Sequence, residues 1–241
     1  PELKKRIWEL DAFRGLFLLG MVLIHLIYDL TELYGFVSWN LPAWFVDFQE
    51  WAGSLFLILS GLCATLGSRP VRRGLTVLAG GLLCFLVTWA IAALGLADRS
   101  VIIYFGVLHC LGVCMLLWPL FEKWDWKALL GLGLVLAALG VWLRYSVRVD
   151  FPWLIPLGFL TPTFASSDYF PLLPHLGFFL MGGALGKTAY RDRKSRFPKC
   201  TGEEPVLGFL CLCGRNSLWI YLLHQPVLSG ILWILDFLVK R

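Results

Sequence analysis

Residues 13–34 read FRGLFLLGMVLIHLIYDLTELY, an apolar run that only a few ionisable side chains interrupt. A helix needs about 20 mostly apolar residues to cross a bilayer, so this stretch predicts a membrane span. The 241-residue chain is 59% hydrophobic and only 15% charged, whereas soluble domains carry about 25% charged residues. This composition excludes a soluble globule and a disordered chain, and the continuous apolar runs argue against an outer-membrane barrel.

Further stretches of the chain are as apolar as the first. They predict an all-α membrane bundle of about seven transmembrane helices, which forms a single domain over residues 1–241. Residues 151–171 are rich in proline and aromatic residues, and they predict a re-entrant or interfacial segment rather than an ordinary solvent loop. The predicted spans are 13–34, 48–66, 74–96, 101–121, 126–145, 172–190 and 207–238.

The basic residues between the spans predict the orientation, because cytoplasmic loops carry an excess of Lys and Arg. With the amino terminus in the cytoplasm, 15 of the 21 basic residues lie inside and five outside, while Arg14 lies within the first span. The carboxyl terminus is then outside. Since topology accounts for the basic loops, we expect no nucleic-acid partner. Charged residues in the first apolar segment also argue against a cleavable signal peptide.

The seven cysteines do not suggest a disulfide framework or a metal site. Most of them lie in or beside apolar spans, where free cysteine behaves as a small hydrophobic residue. No pair of Cys and His residues has the spacing of a zinc site. We therefore expect no metal.

The first span concentrates ionisable residues on one face. At 100° per residue, five of them fall within an arc of about 60°. Charged groups inside a membrane are expensive and mark functional candidates. This polar stripe is expected to face the bundle interior or a wet cavity, and its members are Asp11, Arg14, His25, Asp29 and Glu32.

His25 and Asp29 are four residues apart, so the carboxylate can reach one ring nitrogen. That contact would fix the imidazole tautomer, and the other nitrogen would act as a general base or nucleophile. The alternative is a pair that only joins two helices, and Asp11 with Arg14 could equally form a structural ion pair. A proton-coupled transporter or channel could use the stripe as a relay, although the chain lacks the internal repeat of many transporters.

Five blocks of sequence together resemble the transmembrane acyltransferases, most closely the bacterial relatives of heparan-α-glucosaminide N-acetyltransferase. The blocks occur in order over nearly the whole chain. They are RIWELDAFRG (6–15) with His25, LFLILSG (55–61) followed by RRG (72–74), FGVLHCLG (105–112), DYFPLLP (168–174) and GRNSLWIYLLHQP (214–226).

The resemblance implies acetyl transfer in a bacterial inner membrane, from cytosolic acetyl-CoA to a sugar amine or hydroxyl on the far side. It also implies that His25 matches the catalytic histidine of the wider superfamily. The lysosomal branch instead has Asn at that position and a catalytic histidine just before Ser-Trp-Asn. Here Phe36 occupies the histidine position, before Ser38-Trp39-Asn40. The acceptor and an acyl-histidine intermediate therefore stay open, as does a homodimer.

The resemblance also makes residues at both membrane faces candidates. Inner cations and helix amides suit the phosphates of coenzyme A, although topology alone also explains the loop arginines. His25 lies about 16 Å deeper than Arg14, about the reach of a pantetheine arm. The cofactor candidates are Arg14, Arg69, Arg72, Arg73, Arg215, Asn216 and Ser217. The candidates for acceptor binding or cavity lining, each with a structural role as the alternative, are Asp11, Trp39, Asn40, His109, Asp168, His175 and His224.

Overall fold

The fold is that of a computed structural model, which describes residues 7–40, 42–198, 200 and 202–239. These residues form eight α-helices and no strand, and this confirms the all-α prediction. The basic residues Lys4, Lys5 and Arg6, which contribute to the predicted orientation, lie outside the described part. The helices are α1 (Trp8–Tyr28, continued by a π-helical turn at Asp29–Leu33), α2 (Ala43–Leu66), α3 (Pro70–Ala93), α4 (Val107–Phe121), α5 (Trp126–Ser146), α6 (Leu172–Ala189), α7 (Pro205–Arg215) and α8 (Ser217–Val239).

Four stretches of helix in the described part are long and apolar enough to cross a membrane, by length and composition. They support an integral membrane protein, while the count of about seven spans stays a prediction. Shorter apolar stretches of helix lie at Trp51–Leu66 within α2, in α4 and in α7. The four candidates are Trp8–Leu33, Pro70–Ala93, Trp126–Ser146 and Ser217–Val239.

The predicted span 207–238 contains two helices, because the chain leaves the helical conformation at Asn216. Its backbone leaves the helical region, with φ −101° and ψ 20°. Its backbone N–H and its side-chain amide both donate to the carbonyl of Leu212, and its own carbonyl accepts from Ile220. These bonds end α7 and begin α8. The predicted span 101–121 also starts too early, since α4 begins only at Val107.

The segment 151–171 folds back on the turn that precedes α4. It contains one short 3-10 helix, Pro152–Leu157. The Tyr169 hydroxyl donates to the carbonyl of Ile155 at 2.6 Å, and Ser166 Oγ donates to the carbonyl of Ile102 at 2.8 Å. Burial raises the pKa of Tyr169 well above its ordinary value, so its phenol stays a donor. How deep the segment 151–171 lies in a membrane stays a prediction.

The chain divides into two compact units. Unit 1 comprises Pro1–Phe56 and Lys194–Arg241, and unit 2 comprises Leu57–Arg193. In unit 1, α1 packs against α7 and α8; in unit 2, α3 packs on α4, α5 packs on α6, and α4 also contacts α6. The prediction of a single domain over 1–241 stays a prediction.

Within unit 2, glycines allow α2 and α6 to approach each other closely. A Cβ added to Gly61 would collide with the carbonyl of Phe179, and one added to Gly182 would collide with the carbonyl of Ile58. Membrane helices commonly pack in this way, because small residues let two backbones come together and gain van der Waals contact. The crossing therefore requires the absence of a side chain at these two positions.

Replacing Gly61 with alanine tests this crossing. We expect Gly61→Ala to lower the free energy of unfolding by about 1–3 kcal/mol, because the helices must separate to admit a methyl group. Equilibrium unfolding in mixed micelles measures the change. Gly131→Ala is the matched control, since an added Cβ there meets nothing within 4 Å. Equal stability of Gly61→Ala and Gly131→Ala would contradict the close approach.

Candidate functional site

The polar stripe of α1 lies in unit 1, where α1 meets α7 and α8. Asp11 and Asp29 are buried, and Arg14 and His25 are half-buried. Glu32 is exposed and does not share this face. It sits in the π-helical turn Asp29–Leu33, where the wider i→i+5 winding changes the direction of the side chains. The stripe thus presents its polar groups at two depths.

Near the start of α1 lies a carboxylate between two arginines, which is called the inner group after the predicted orientation. Asp11 Oδ2 lies 3.3 Å from Arg215 Nε, and Asp11 Oδ1 lies 3.7 Å from Arg14 Nη1. Helices α1 and α7 approach each other so closely here that a Cβ added to Gly214 would collide with the carbonyl of Asp11. Two guanidinium groups and one carboxylate leave this group with net positive charge. Such a group can receive an anion.

Asn216 and Ser217 lie beside this inner group in sequence. The Asn216 side-chain amide donates to the carbonyl of Leu212 at 2.9 Å, so that donor serves the end of α7. Ser217 is the first residue of α8. Four of the predicted cofactor residues thus belong to unit 1, and two of them, Arg14 and Arg215, share one carboxylate.

Farther along the stripe, His25 packs against His224 of α8. Their ring centroids are 5.0 Å apart in an edge-to-face arrangement. His224 Nδ1 donates to the carbonyl of Tyr221 at 2.6 Å. Because a carbonyl only accepts, a neutral His224 carries its proton on Nδ1 and keeps a free lone pair on Nε2. That Nε2 is buried and has no hydrogen-bond partner among the described residues.

One turn farther, Asp29 is held by Gln225. Gln225 Nε2 lies 3.2 Å from Asp29 Oδ1 and 3.0 Å from Oδ2. The predicted hydrogen bond between Asp29 and His25 is absent from the described residues, and this expectation needs correction. The carboxylate, 1% exposed, takes the amide donor that α8 supplies. His224, and not Asp29, is therefore the ring partner of His25.

Two of the predicted acceptor residues cap α4 in unit 2. Asp168 Oδ2 accepts from the N–H of Val107 at 3.1 Å, and His109 Nδ1 accepts from the N–H of Gly106 at 3.2 Å. The first amides of a helix have no partner within it, so such side chains stabilise its start. The structure supplies the structural role for both residues, and acceptor binding by them stays a prediction.

The remaining predicted residues are spread over both units. In unit 2, His175 is buried and its Nδ1 donates to the carbonyl of Pro171 at 2.7 Å. Arg69 and Arg72 are exposed near the start of α3. In unit 1, Trp39 and Asn40 are exposed in the loop after α1. The structure therefore gathers Asp11, Arg14 and Arg215 in one group and His25, Asp29 and His224 in another.

The half-buried Gln225 and the buried Glu9 escaped the sequence prediction. Gln225 lies in the block 214–226, but an uncharged amide gives no signal in a search for charges inside a membrane. Glu9 is 2% exposed, and its Oε1 accepts from the N–H of Arg196 at 2.7 Å. It lies two residues before Asp11, about 200° around the helix and so off the stripe.

The pairing of Asp29 with Gln225 predicts a non-additive pair of substitutions. Gln225→Leu leaves a buried carboxylate without its donor, which costs about 1–3 kcal/mol of unfolding free energy or more. Adding Asp29→Leu removes the orphaned charge, so the double variant is expected to regain most of that loss. Equilibrium unfolding of the two single variants, the double variant and Gln49→Leu as control measures the coupling. Additive losses would contradict the pairing.

Comparison with known proteins identifies the family. The sequence model described as "Heparan-alpha-glucosaminide N-acetyltransferase, catalytic" matches residues 6–226. No curated protein and no solved structure matches the chain significantly. The matched range contains all five sequence blocks and extends from the start of α1 into α8, and it confirms the resemblance to that family. Together with the apolar helices, the match shows that this chain belongs to the heparan-α-glucosaminide N-acetyltransferase catalytic family of membrane transferases.

Proposed function

We propose that this protein moves an acetyl group from acetyl-CoA, bound at the cytoplasmic side, to a sugar amine or hydroxyl on the other side of a bacterial inner membrane. The family supports acetyl transfer. The observation that carries the proposal is the contact between His25 and His224 inside membrane helices, with a buried Nε2 on His224 that has no partner among the described residues. Such a lone pair suits a neighbouring base that supports proton transfer at His25.

In the proposed reaction, His25 takes the proton of the acceptor N–H or O–H as a general base. The acceptor atom attacks the thioester carbonyl carbon, so a C–N or C–O bond forms and the C–S bond breaks. The thiolate of coenzyme A leaves and receives the proton from the His25 imidazolium. An alternative route has His25 attack first and carry the acetyl group.

The neighbours of His25 receive positioning roles in this proposal. His224 shares the proton of the His25 imidazolium through its free Nε2. The hydrogen bonds between Asp29 and Gln225 set α8 against α1 and so bring the two rings together. Gln225 Oε1 is also buried without a hydrogen-bond partner in the described part. In this proposal it accepts a hydrogen bond from the N–H or O–H of the sugar that receives the acetyl group.

The inner group supplies the cofactor contacts. Arg14 and Arg215 suit phosphate because the guanidinium fork matches two phosphate oxygens. His25 lies about 16 Å along α1 from Arg14 at 1.5 Å per residue, which suits an extended pantetheine arm. We propose that Asn216 and Ser217 add donors at the start of α8, and that the amino terminus lies in the cytoplasm and the carboxyl terminus outside.

Replacing His25 tests the chemistry. Acetyl transfer to glucosamine by His25→Ala is expected to fall by about 10²–10⁴-fold, the usual contribution of a general base. Mass spectrometry of N-acetylglucosamine formation measures it. Leu23→Ala, on the same helix and 56% exposed, is the control. Unchanged transfer by folded His25→Ala would refute this role. A parallel assay with N-acetylglucosamine as acceptor separates transfer to an amine from transfer to a hydroxyl.

Replacing His224 with phenylalanine separates ring packing from proton transfer. His224→Phe keeps an aromatic ring against His25 but removes Nε2, so kcat is expected to fall by about tenfold or more. KM for acetyl-CoA is expected to stay unchanged, because His224 is not among the proposed cofactor residues. Steady-state kinetics measures both constants. An unchanged kcat would show that His224 acts by packing alone.

A proton-coupled transporter is the competing function, because it would use the same half-buried histidines and the same buried carboxylate. A ligand that binds only the folded protein raises its unfolding temperature. We therefore expect acetyl-CoA and coenzyme A to raise the Tm of the purified protein. A folded sample whose Tm responds to neither compound would favour transport.

A further inference from the structure

Unit 2 contains a cavity of about 440 Å³ near the ends of α2, α4 and α6. Its lining residues are Ala64, Thr65, Leu66, Gly67, Trp118, Glu122, Lys123, Gly186, Lys187, Tyr190, Arg191 and Arg193. None of these residues belongs to the polar stripe of α1 or to the predicted cofactor set. Ligand pockets usually measure about 300–1,000 Å³, so this cavity has the size of a binding site.

The lining of the cavity is strongly basic. Glu122 is its single acidic lining residue in the described part, against four basic ones. Lys187 has a structural role, because its Nζ donates to the carbonyls of Glu122 and Trp124. A cation near the carboxyl-terminal end of a helix also interacts favourably with the helix dipole. The four basic residues are Lys123, Lys187, Arg191 and Arg193.

The other three basic residues are available to a ligand. Lys123, Arg191 and Arg193 are exposed, and their side chains form no hydrogen bond or ion pair among the described residues. Arg73 adds a cation at the edge, because its guanidinium lies against Gly67, where an added Cβ would collide with it. Trp118 and Tyr190 also line the cavity, and both side chains are buried.

We infer that this cavity binds a phosphate-bearing anion. Guanidinium groups hold phosphate oxygens in pairs, and an ammonium adds a point charge. Such a phosphate has two sources, the nucleotide end of coenzyme A and the headgroup of an anionic phospholipid. The nucleotide source rests on the proposed function.

Binding measurements on charge-removal variants test this inference. Calorimetry with adenosine 3′,5′-bisphosphate in an uncharged detergent tests the nucleotide source. Native mass spectrometry from nanodiscs that contain phosphatidylglycerol and phosphatidylcholine tests the lipid source. The variant is Arg191→Gln/Arg193→Gln, and Lys187 stays in place because it holds backbone carbonyls. The control is Arg99→Gln, an exposed cation of the same unit outside the cavity.

The double variant is expected to bind the bisphosphate about tenfold more weakly or worse, as the loss of charge-assisted hydrogen bonds requires. The control is expected to bind like wild type. If the variant instead loses only its enrichment in phosphatidylglycerol, the anion is a lipid headgroup. Wild-type protein that binds neither probe, or a double variant that binds both unchanged, would overturn the inference.

The proposed function is tested separately on the same samples. His25→Ala is expected to keep full bisphosphate binding, because His25 does not line the cavity. Bisphosphate binding at the cavity without any acetyl transfer would refute the proposed function and leave the phosphate site standing. Acetyl transfer together with bisphosphate binding that is unchanged in Arg191→Gln/Arg193→Gln would support the proposed function and overturn the phosphate site.

Discussion

A carboxylate inside a membrane needs a hydrogen-bond donor from a neighbouring helix, because lipid chains supply none. Asp29 meets this requirement through both of its oxygens, which lie within hydrogen-bond distance of the amide of Gln225. The requirement restricts how α1 and α8 can pair, since another register would strand the carboxylate. In the register that satisfies it, His25 of α1 lies against His224 of α8. The geometry of the candidate site thus follows from one buried charge.

Near the start of α1, a second carboxylate has cationic partners instead of an amide donor. Asp11 neutralises part of the charge of Arg14 and Arg215, and glycine at position 214 lets α7 come close enough to bring Arg215 there. The stripe of α1 therefore contributes to a cationic group at one depth and to a histidine pair farther along. In the proposed function these two groups serve the two ends of acetyl-CoA, the phosphates and the thioester.

The sequence predicts the helices well, because apolar runs of span length are visible in a single chain. It also predicts that α1 carries the polar stripe, because a fixed angle per residue decides which side chains share a face. It does not predict which hydrogen-bond partner a polar side chain binds. Asn216 ends a helix inside an apolar run, and Asp29 binds Gln225 rather than His25, four residues away. Both outcomes depend on which donors a folded chain places nearby, and hydropathy does not contain that information.

The central claim is that acetyl transfer takes place within the membrane, between a cofactor on one side and an acceptor on the other. Proteoliposomes that enclose glucosamine, supplied with labelled acetyl-CoA only in the external buffer, test it most directly. We expect labelled N-acetylglucosamine to accumulate inside the vesicles, while acetyl-CoA stays outside. Labelled product that forms only when both substrates share the external buffer would contradict transfer across the membrane.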